Sequence, residues 1–137
     1  MQPTRPLTGS PSPEIIAEME MEMAELRAKS IARAQKRPQI IAEGQAALHR
    51  LMPVAERDTG QSGVVARFLL ALYNGRRFPF DLSQLRRLEH ALHDDCLAVL
   101  RMDAHPMRDV HCYIQDGVQR FERLIVNWYQ QGGQLDK

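Results

Sequence analysis

Cysteine is scarce in this chain of 137 residues: Cys96 and Cys112 are the whole supply. Two thiols are too few for a disulfide framework, so a reducing cytoplasm with both thiols free is expected. An excess of one charge is also missing. The formal net charge is +1, so whole-molecule electrostatics demand neither a nucleic-acid nor a membrane partner. Any such partner would have to use a local patch. Long apolar runs are absent too: the longest, residues 68–73, is far too short to span a bilayer. Residues 1–8 hold one Arg, two prolines and no apolar run, which is not the pattern of a secretory leader. Lysine is rare, with three Lys against fifteen Arg. Arginine offers a planar fork for carboxylate or phosphate, but it is also the codon choice of a GC-rich genome. No glycine-rich phosphate loop, CxxC or HExxH spacing occurs.

The length supports one domain with some chain left over, and the 44% apolar fraction is ordinary. Residues 1–12 contain Pro3, Pro6, Gly9 and Pro11 with several Ser and Thr, so a disordered tail is expected. A helix then starts sharply. Ser12 can cap it, Pro13 suits the first helical position, and Glu14 complements the dipole. Pro38 predicts its end at about Arg37. Ile16, Met19, Met23 and Leu26 keep a three-four spacing that Ile31 and Ala34 roughly continue. Charges along this arm are segregated. Glu14, Glu18, Glu20, Glu22 and Glu25 come first; Arg27, Lys29, Arg33, Lys36 and Arg37 follow. That order agrees with the macrodipole, and Glu25 with Lys29 forms a favourable i,i+4 pair. It would also let two arms pair antiparallel, acid beside base. The plainer reading is a solvated helix face, which is what charge runs usually are.

A second helix is expected from about Gln39 to Glu56. Its inner stripe is Ile41, Leu48, Leu51 and Ala55, with Gly44 allowing close approach and Pro53 forcing a kink or break near Leu51. Residues 58–63 read as a tight loop in which Asp58 or Thr59 caps a third helix with Val65, Phe68, Leu69 and Leu72 inward. Asn74-Gly75 ends it, since both residues tolerate the left-handed conformation. Asp81 with Gln84 resembles a capping box, and Phe80 with Leu85 a hydrophobic staple. A fourth helix follows, striped by Leu82, Leu85, Leu88 and Leu92. Cys96, Leu97, Val99, Leu100 and Met102 extend it or form a fifth, with a break near Asp94-Asp95. His105-Pro106 is a breaker, and residues 107–115 fit a short strand or a helix. Asp116 with Gln119 repeats the capping pattern before a last helix with Phe121, Leu124, Ile125 and Trp128 inward, stopped by Gly132-Gly133.

Three groups of residues bear on chemistry. Asp58-Thr59-Gly60 spells the active-site triplet of aspartic proteases, but those enzymes need two carboxylates sharing a proton. The triplet also follows Glu56-Arg57 rather than an apolar strand, so helix capping explains it better. His90, His93, Asp94 and Cys96 are potential metal ligands with His105, His111 and Cys112 near in sequence, yet the spacing matches no familiar metal motif. Cys96 reads better as a small core residue. The strongest lead is a rim of arginines, Arg67, Arg76, Arg77, Arg86 and Arg87, interleaved with Phe78 and Phe80. It could contact phosphates or an acidic protein surface. The plain alternative is a solvated rim, with both phenylalanines covering the core.

Several segments match a known pattern in order: Asp58-Thr59-Gly60-Gln61-Ser62, Val65, Phe68-Leu69-Leu70, Tyr73-Asn74-Gly75, Phe80-Asp81-Leu82 with Leu85 and Leu88, then Asp116-Gly117, Phe121-Glu122, Leu124 and Trp128. From about Ala46 to Trp128 the chain resembles a family of short uncharacterised all-α proteins carried by plasmids and integrative conjugative elements of Gram-negative bacteria. The arm lies outside the resemblance, which brings no catalytic residues. It implies a small accessory protein of a mobile genetic element; such proteins often inhibit host defence or regulate element genes.

The expected fold is all-α: a compact bundle of five or six helices over residues 38–131, a long amphipathic N-terminal helical arm over 13–37, and a C-terminal tail over 132–137. The expected function is a non-enzymatic protein–protein interaction protein, at its sharpest an anti-defence, anti-CRISPR-like inhibitor of a host effector complex. The expected contacts are Met19, Met23 and Leu26 on the arm and Arg67, Arg76, Arg77, Arg86 and Arg87 on the rim. A nucleic-acid-associated regulator using Arg76, Arg77, Arg86 and Arg87 is the alternative. The partners expected are a host protein or ribonucleoprotein complex and a second copy through the arm. Neither metal, cofactor nor membrane is called for.

Overall fold

The computed structural model describes residue 9 and residues 11–130. Most of the expected tails, and the stop at Gly132-Gly133, lie outside the described residues. Helices α1 (Pro13–Ala55), α2 (Gly60–Tyr73), α3 (His90–Asp103) and α4 (Gly117–Ile125) are joined by 3-10 turns at Leu82–Arg87 and Val110–Tyr113. A π-helical turn, Val126–Gln130, extends α4. Among the described residues there is no strand, so the class is all-α. The chain forms two compact units, Met1–Pro38 and Gln39–Lys137.

In the first unit, Ser12 starts α1 as its sequence predicts. Its hydroxyl accepts from the Ile15 amide at 3.3 Å, and its carbonyl accepts from the Ile16 amide. The expected stop at Pro38 does not occur. Helix α1 passes through Pro38 and later through Pro53, where of the expected kink or break no break occurs. A proline removes one amide and frees the carbonyl four residues earlier. Those residues are Ala34 and His49, both exposed, as are the two prolines. Water can therefore replace each lost bond, and the two expected helices are one. The expected Glu25–Lys29 pair is not formed; the ion pairs among the described residues are Arg50–Asp95 and Arg120–Glu56.

The second unit is built around α2, which packs against α4 and against both 3-10 turns. Its core takes Leu48, Leu51 and Met52 from α1, Val65, Phe68, Leu69 and Leu70 from α2, Val99 and Met102 from α3, and Phe121, Leu124 and Ile125 from α4. Each such side chain contributes about 1.5–3 kcal/mol when fully buried. Gly44 lets α1 come close to α3. A Cβ there would collide with Met102, whose sulfur would lie 2.7 Å away.

Thr59 caps α2 in a reciprocal box with Ser62, each side chain bonding the other's amide at 3.1 Å. The helix starts at Gly60, so residues 60–63 are its first turn rather than a loop. It ends at Asn74, though not in the left-handed conformation expected. Asn74 has φ −158°, its amide donates to the Leu70 carbonyl, and its side-chain oxygen accepts from the Arg77 amide. The left-handed residue is instead Asp116, at φ 57°. Its carboxylate makes no capping bond, so the expected cap with Gln119 is absent. The turn is shaped by its neighbour: the His111 carbonyl occupies the space a Gly117 side chain would need.

The expected fourth helix is short and of a different kind. Leu82–Arg87 is 3-10, and Leu88 and Glu89 are extended. Leu85 and Leu88 are buried, but Leu82 is 69% exposed at the outer end of the turn. Helix α3 shows no break at Asp94-Asp95, because Asp95 turns inward and binds Arg50. Residues 107–115 resolve as the Val110–Tyr113 turn, with Val110 and Ile114 buried.

Candidate interaction surface

The connection from α2 to α3 alternates anchors with arginines. Phe78 is buried, its amide bonded to the Asn74 carbonyl and its ring 4.8 Å from that of Tyr129. Phe80 meets Phe68 edge-on at 5.8 Å. Asp81 caps the 3-10 turn by accepting from the Ser83 amide at 2.9 Å and the Ser83 hydroxyl at 2.8 Å. The hydroxyl bond, then the amide bond, holds this carboxylate below its ordinary range. Gln84 does not complete a capping box. Its oxygen accepts from Arg67 at 3.4 Å, which ties the turn to α2. Gln61 accepts from the Glu89 amide at 2.8 Å and closes the connection.

This scaffold sorts the expected arginines. Arg76, Arg77, Arg86 and Arg87 are exposed; Arg67 is half-buried and bonded within the domain. Among the described residues none of the five forms an ion pair. Arg77 stacks over the Phe78 ring at 4.9 Å, an arrangement that restrains the guanidinium while leaving its fork open. The rim therefore holds four available cations on a connection pinned by Phe78, Phe80, Leu85 and Leu88. Chemically it can bind phosphate or carboxylate groups.

The arm residues Met19, Met23 and Leu26 are 52%, 51% and 60% exposed. Ile16, Met19 and Met23 line a shallow groove of about 280 Å³ with Pro11, Glu20 and Arg27. The arm belongs to the first unit and the arginine rim to the second.

In the Asp58-Thr59-Gly60 triplet, Thr59 serves the α2 cap and Asp58 is exposed. Among the described residues no group of three or more His, Cys, Asp or Glu is placed to hold a metal. Cys96 is a core residue, and burial pushes its thiol up to about 12. Both cysteines are free. Among the described residues, no helix is long and apolar enough to cross a membrane.

Sequence reading missed the polar ties of the domain. Arg120 grips Glu56 through two bonds of 2.8 and 2.7 Å, and this hydrogen bonding lowers the Glu56 pKa. Arg50 holds Asp95 at 2.8 Å. Trp128 donates its indole N–H to the Ala55 carbonyl at 3.2 Å. Beside these ties lies a polar cleft of about 290 Å³ lined by Glu56, Arg57, Asp58, Asn127 and Trp128. The partners are 45, 64 and 73 residues apart, and no local pattern announces them.

A four-helix all-α domain with an N-terminal helical arm is thus the class of protein that fold and surface define. Residues 45–129 match the model of a family of unknown function, DUF7673. That match spans more than half of the chain, and the protein belongs to this family. It begins within α1 and leaves the arm outside. No curated protein and no solved structure matches the chain.

Proposed function

We propose that this is a non-enzymatic interaction protein of a mobile genetic element whose domain docks onto an anionic surface of a host protein or ribonucleoprotein complex in the cytoplasm. One observation carries the reading: Arg76, Arg77, Arg86 and Arg87 stand exposed, without an ion pair among the described residues, on a connection fixed by buried anchors. A connection already fixed by its anchors needs no backbone ordering on binding, and its arginines supply planar forks for carboxylate or phosphate. In its finer form the host complex is a defence effector, and docking inhibits it. The mobile-element context comes from the sequence resemblance, and the inhibitory role from that context.

The test is a quadruple charge reversal, Arg76→Glu, Arg77→Glu, Arg86→Glu and Arg87→Glu, with helicity checked by circular dichroism. Cross-linked partners of the native chain in a bacterial host should be lost with this variant. Protection of a plasmid from CRISPR interference should be lost with them. Unchanged capture would dismiss the rim. If the purified chain instead binds DNA or RNA with a steep salt dependence, the nucleic-acid regulator replaces the inhibitor. Each reversed arginine should then reduce the log–log salt slope by about 1.

A further inference from the structure

Away from the rim, the arm leaves an apolar stripe uncovered. Ile16, Met19, Met23 and Leu26 recur at alternating spacings of three and four, the a and d positions of a heptad. They are between 39% and 60% exposed. The flanking positions are charged. Glu20 and Arg27 occupy successive e positions and border the same groove as Ile16, Met19 and Met23. Glu22 and Lys29 occupy successive g positions on the other flank. Acid precedes base on both flanks, and the whole arm carries five acidic residues followed by five basic ones.

That order selects an occupant. In an antiparallel pair of helices, e positions face e positions and g positions face g positions. We infer that the arm is a homodimerisation element, pairing antiparallel with the arm of a second copy so that Glu20 meets the partner's Arg27 and Glu22 meets the partner's Lys29. Two-fold symmetry repeats both contacts, giving four opposite-charge pairs around one seam. In the seam, Met23 faces the partner's Leu26, Met19 faces the partner's Ser30, and Ile16 lies along the stem of the partner's Arg33.

The charges decide the register. Sliding the helices by one heptad would match Met19 with the partner's Met23 and Ile16 with the partner's Leu26, a more apolar seam. It would also set Glu20 against the partner's Glu20 and Glu22 against the partner's Glu22, so like charges oppose it. A parallel pair would set Glu22 against the partner's Arg27 but leave Glu20 and Lys29 without an opposite charge, and it would align both helix dipoles. Only the antiparallel register gives Glu20, Glu22, Arg27 and Lys29 each an opposite charge.

The experiment uses the full chain and two variants. One carries Glu20→Lys and Glu22→Lys; the other carries Arg27→Glu and Lys29→Glu. Sedimentation equilibrium should give the native chain a concentration-dependent mass rising to twice 15.7 kDa. Each variant alone turns all four pairs into like-charge pairs and should dimerise about a hundredfold more weakly. An equimolar mixture restores four attractive pairs and should recover the dimer. Orientation is read separately with Cys112 replaced by Ser. Met19→Cys mixed with Ser30→Cys should cross-link on oxidation, whereas Ser30→Cys alone should not. A native chain that stays monomeric overturns the inference. So do variants that dimerise like the native chain, a mixture that stays monomeric, or a Ser30→Cys chain that cross-links to itself.

Discussion

The two halves of α1 carry similar side chains at similar spacings and meet opposite fates. Leu48 and Leu51 are fully buried, whereas Met19 and Leu26 are 52% and 60% exposed. Periodicity thus decides which residues share a helix face, but not what covers that face. Covering comes from residues far away in the chain: Val65 and Leu69 on α2, Met102 on α3 and Phe121 on α4. Among the described residues the arm has no counterpart to these, and its apolar stripe is bordered by ordered charge instead. A core and an unfilled interface can therefore be written in the same local pattern.

The sharpest challenge to this contrast is a matched pair of truncations on one helix. Leu51→Ala should destabilise the domain by about 2–5 kcal/mol, through lost burial and the cavity left behind. Leu26→Ala should change the unfolding free energy of the domain by less than about 0.5 kcal/mol in dilute solution. Equal losses in urea titrations would mean that the arm is part of the same cooperative core. A smaller effect is expected where backbone meets backbone. Gly117→Ala places a Cβ into the His111 carbonyl, and no flexible side chain is available to yield. It should cost about 1–3 kcal/mol, while Ala24→Gly in the arm should leave the thermal midpoint of the domain within a few degrees.

The smallest effect concerns the ion pair joining the end of α1 to α4. Glu56→Gln keeps the shape but weakens the Arg120 contact, at a cost of about 1–2 kcal/mol at neutral pH. The sign with pH follows from the lowered pKa of Glu56, caused chiefly by the Arg120 hydrogen bond. A carboxylate held more acidic in the folded state stabilises it fully above the unfolded pKa. That contribution fades as pH falls through the folded pKa. The native chain's advantage over Glu56→Gln should therefore begin to shrink below about pH 4.3 and vanish in stronger acid, seen as converging chemical-denaturation midpoints. A difference that persists undiminished into stronger acid would contradict the assignment.

Much of the helical framework is legible from short-range chemistry. Ser12, Thr59 and Asp81 each cap the element that follows, because capping needs only a hydroxyl or carboxylate within three residues. Gly44 announces a close approach, and Phe121, Leu124 and Ile125 announce the inner face of α4. What escapes the sequence is decided by tertiary neighbours. Pro38 reads as a stop and Pro53 as a kink or break, yet the helix continues through both, on exposed turns where water can take the freed carbonyls. Leu82–Arg87 reads as α-helix from its leucines, yet Gln61 captures the Glu89 amide and the chain extends there. Asp95 reads as a break, yet Arg50 of another helix neutralises it. For the candidate surface, the sequence supplies the arginines but not their sorting. Arg67 is drawn in by Gln84, and the other four remain outside.

Trp128 has a consequence for how the molecule can be watched. It is the single tryptophan, its indole bonded to the end of α1 and its ring close over Gly63 of α2. All three tyrosines, at 73, 113 and 129, also lie outside the arm. Tryptophan emission therefore reports the junction of α1, α2 and α4, tyrosine emission reports other parts of the domain, and the arm carries neither fluorophore. Far-ultraviolet ellipticity sees every helical turn, those of the arm included. A melt followed both ways separates the two halves of one helix without a label, and any gap between the curves is the signature of the arm.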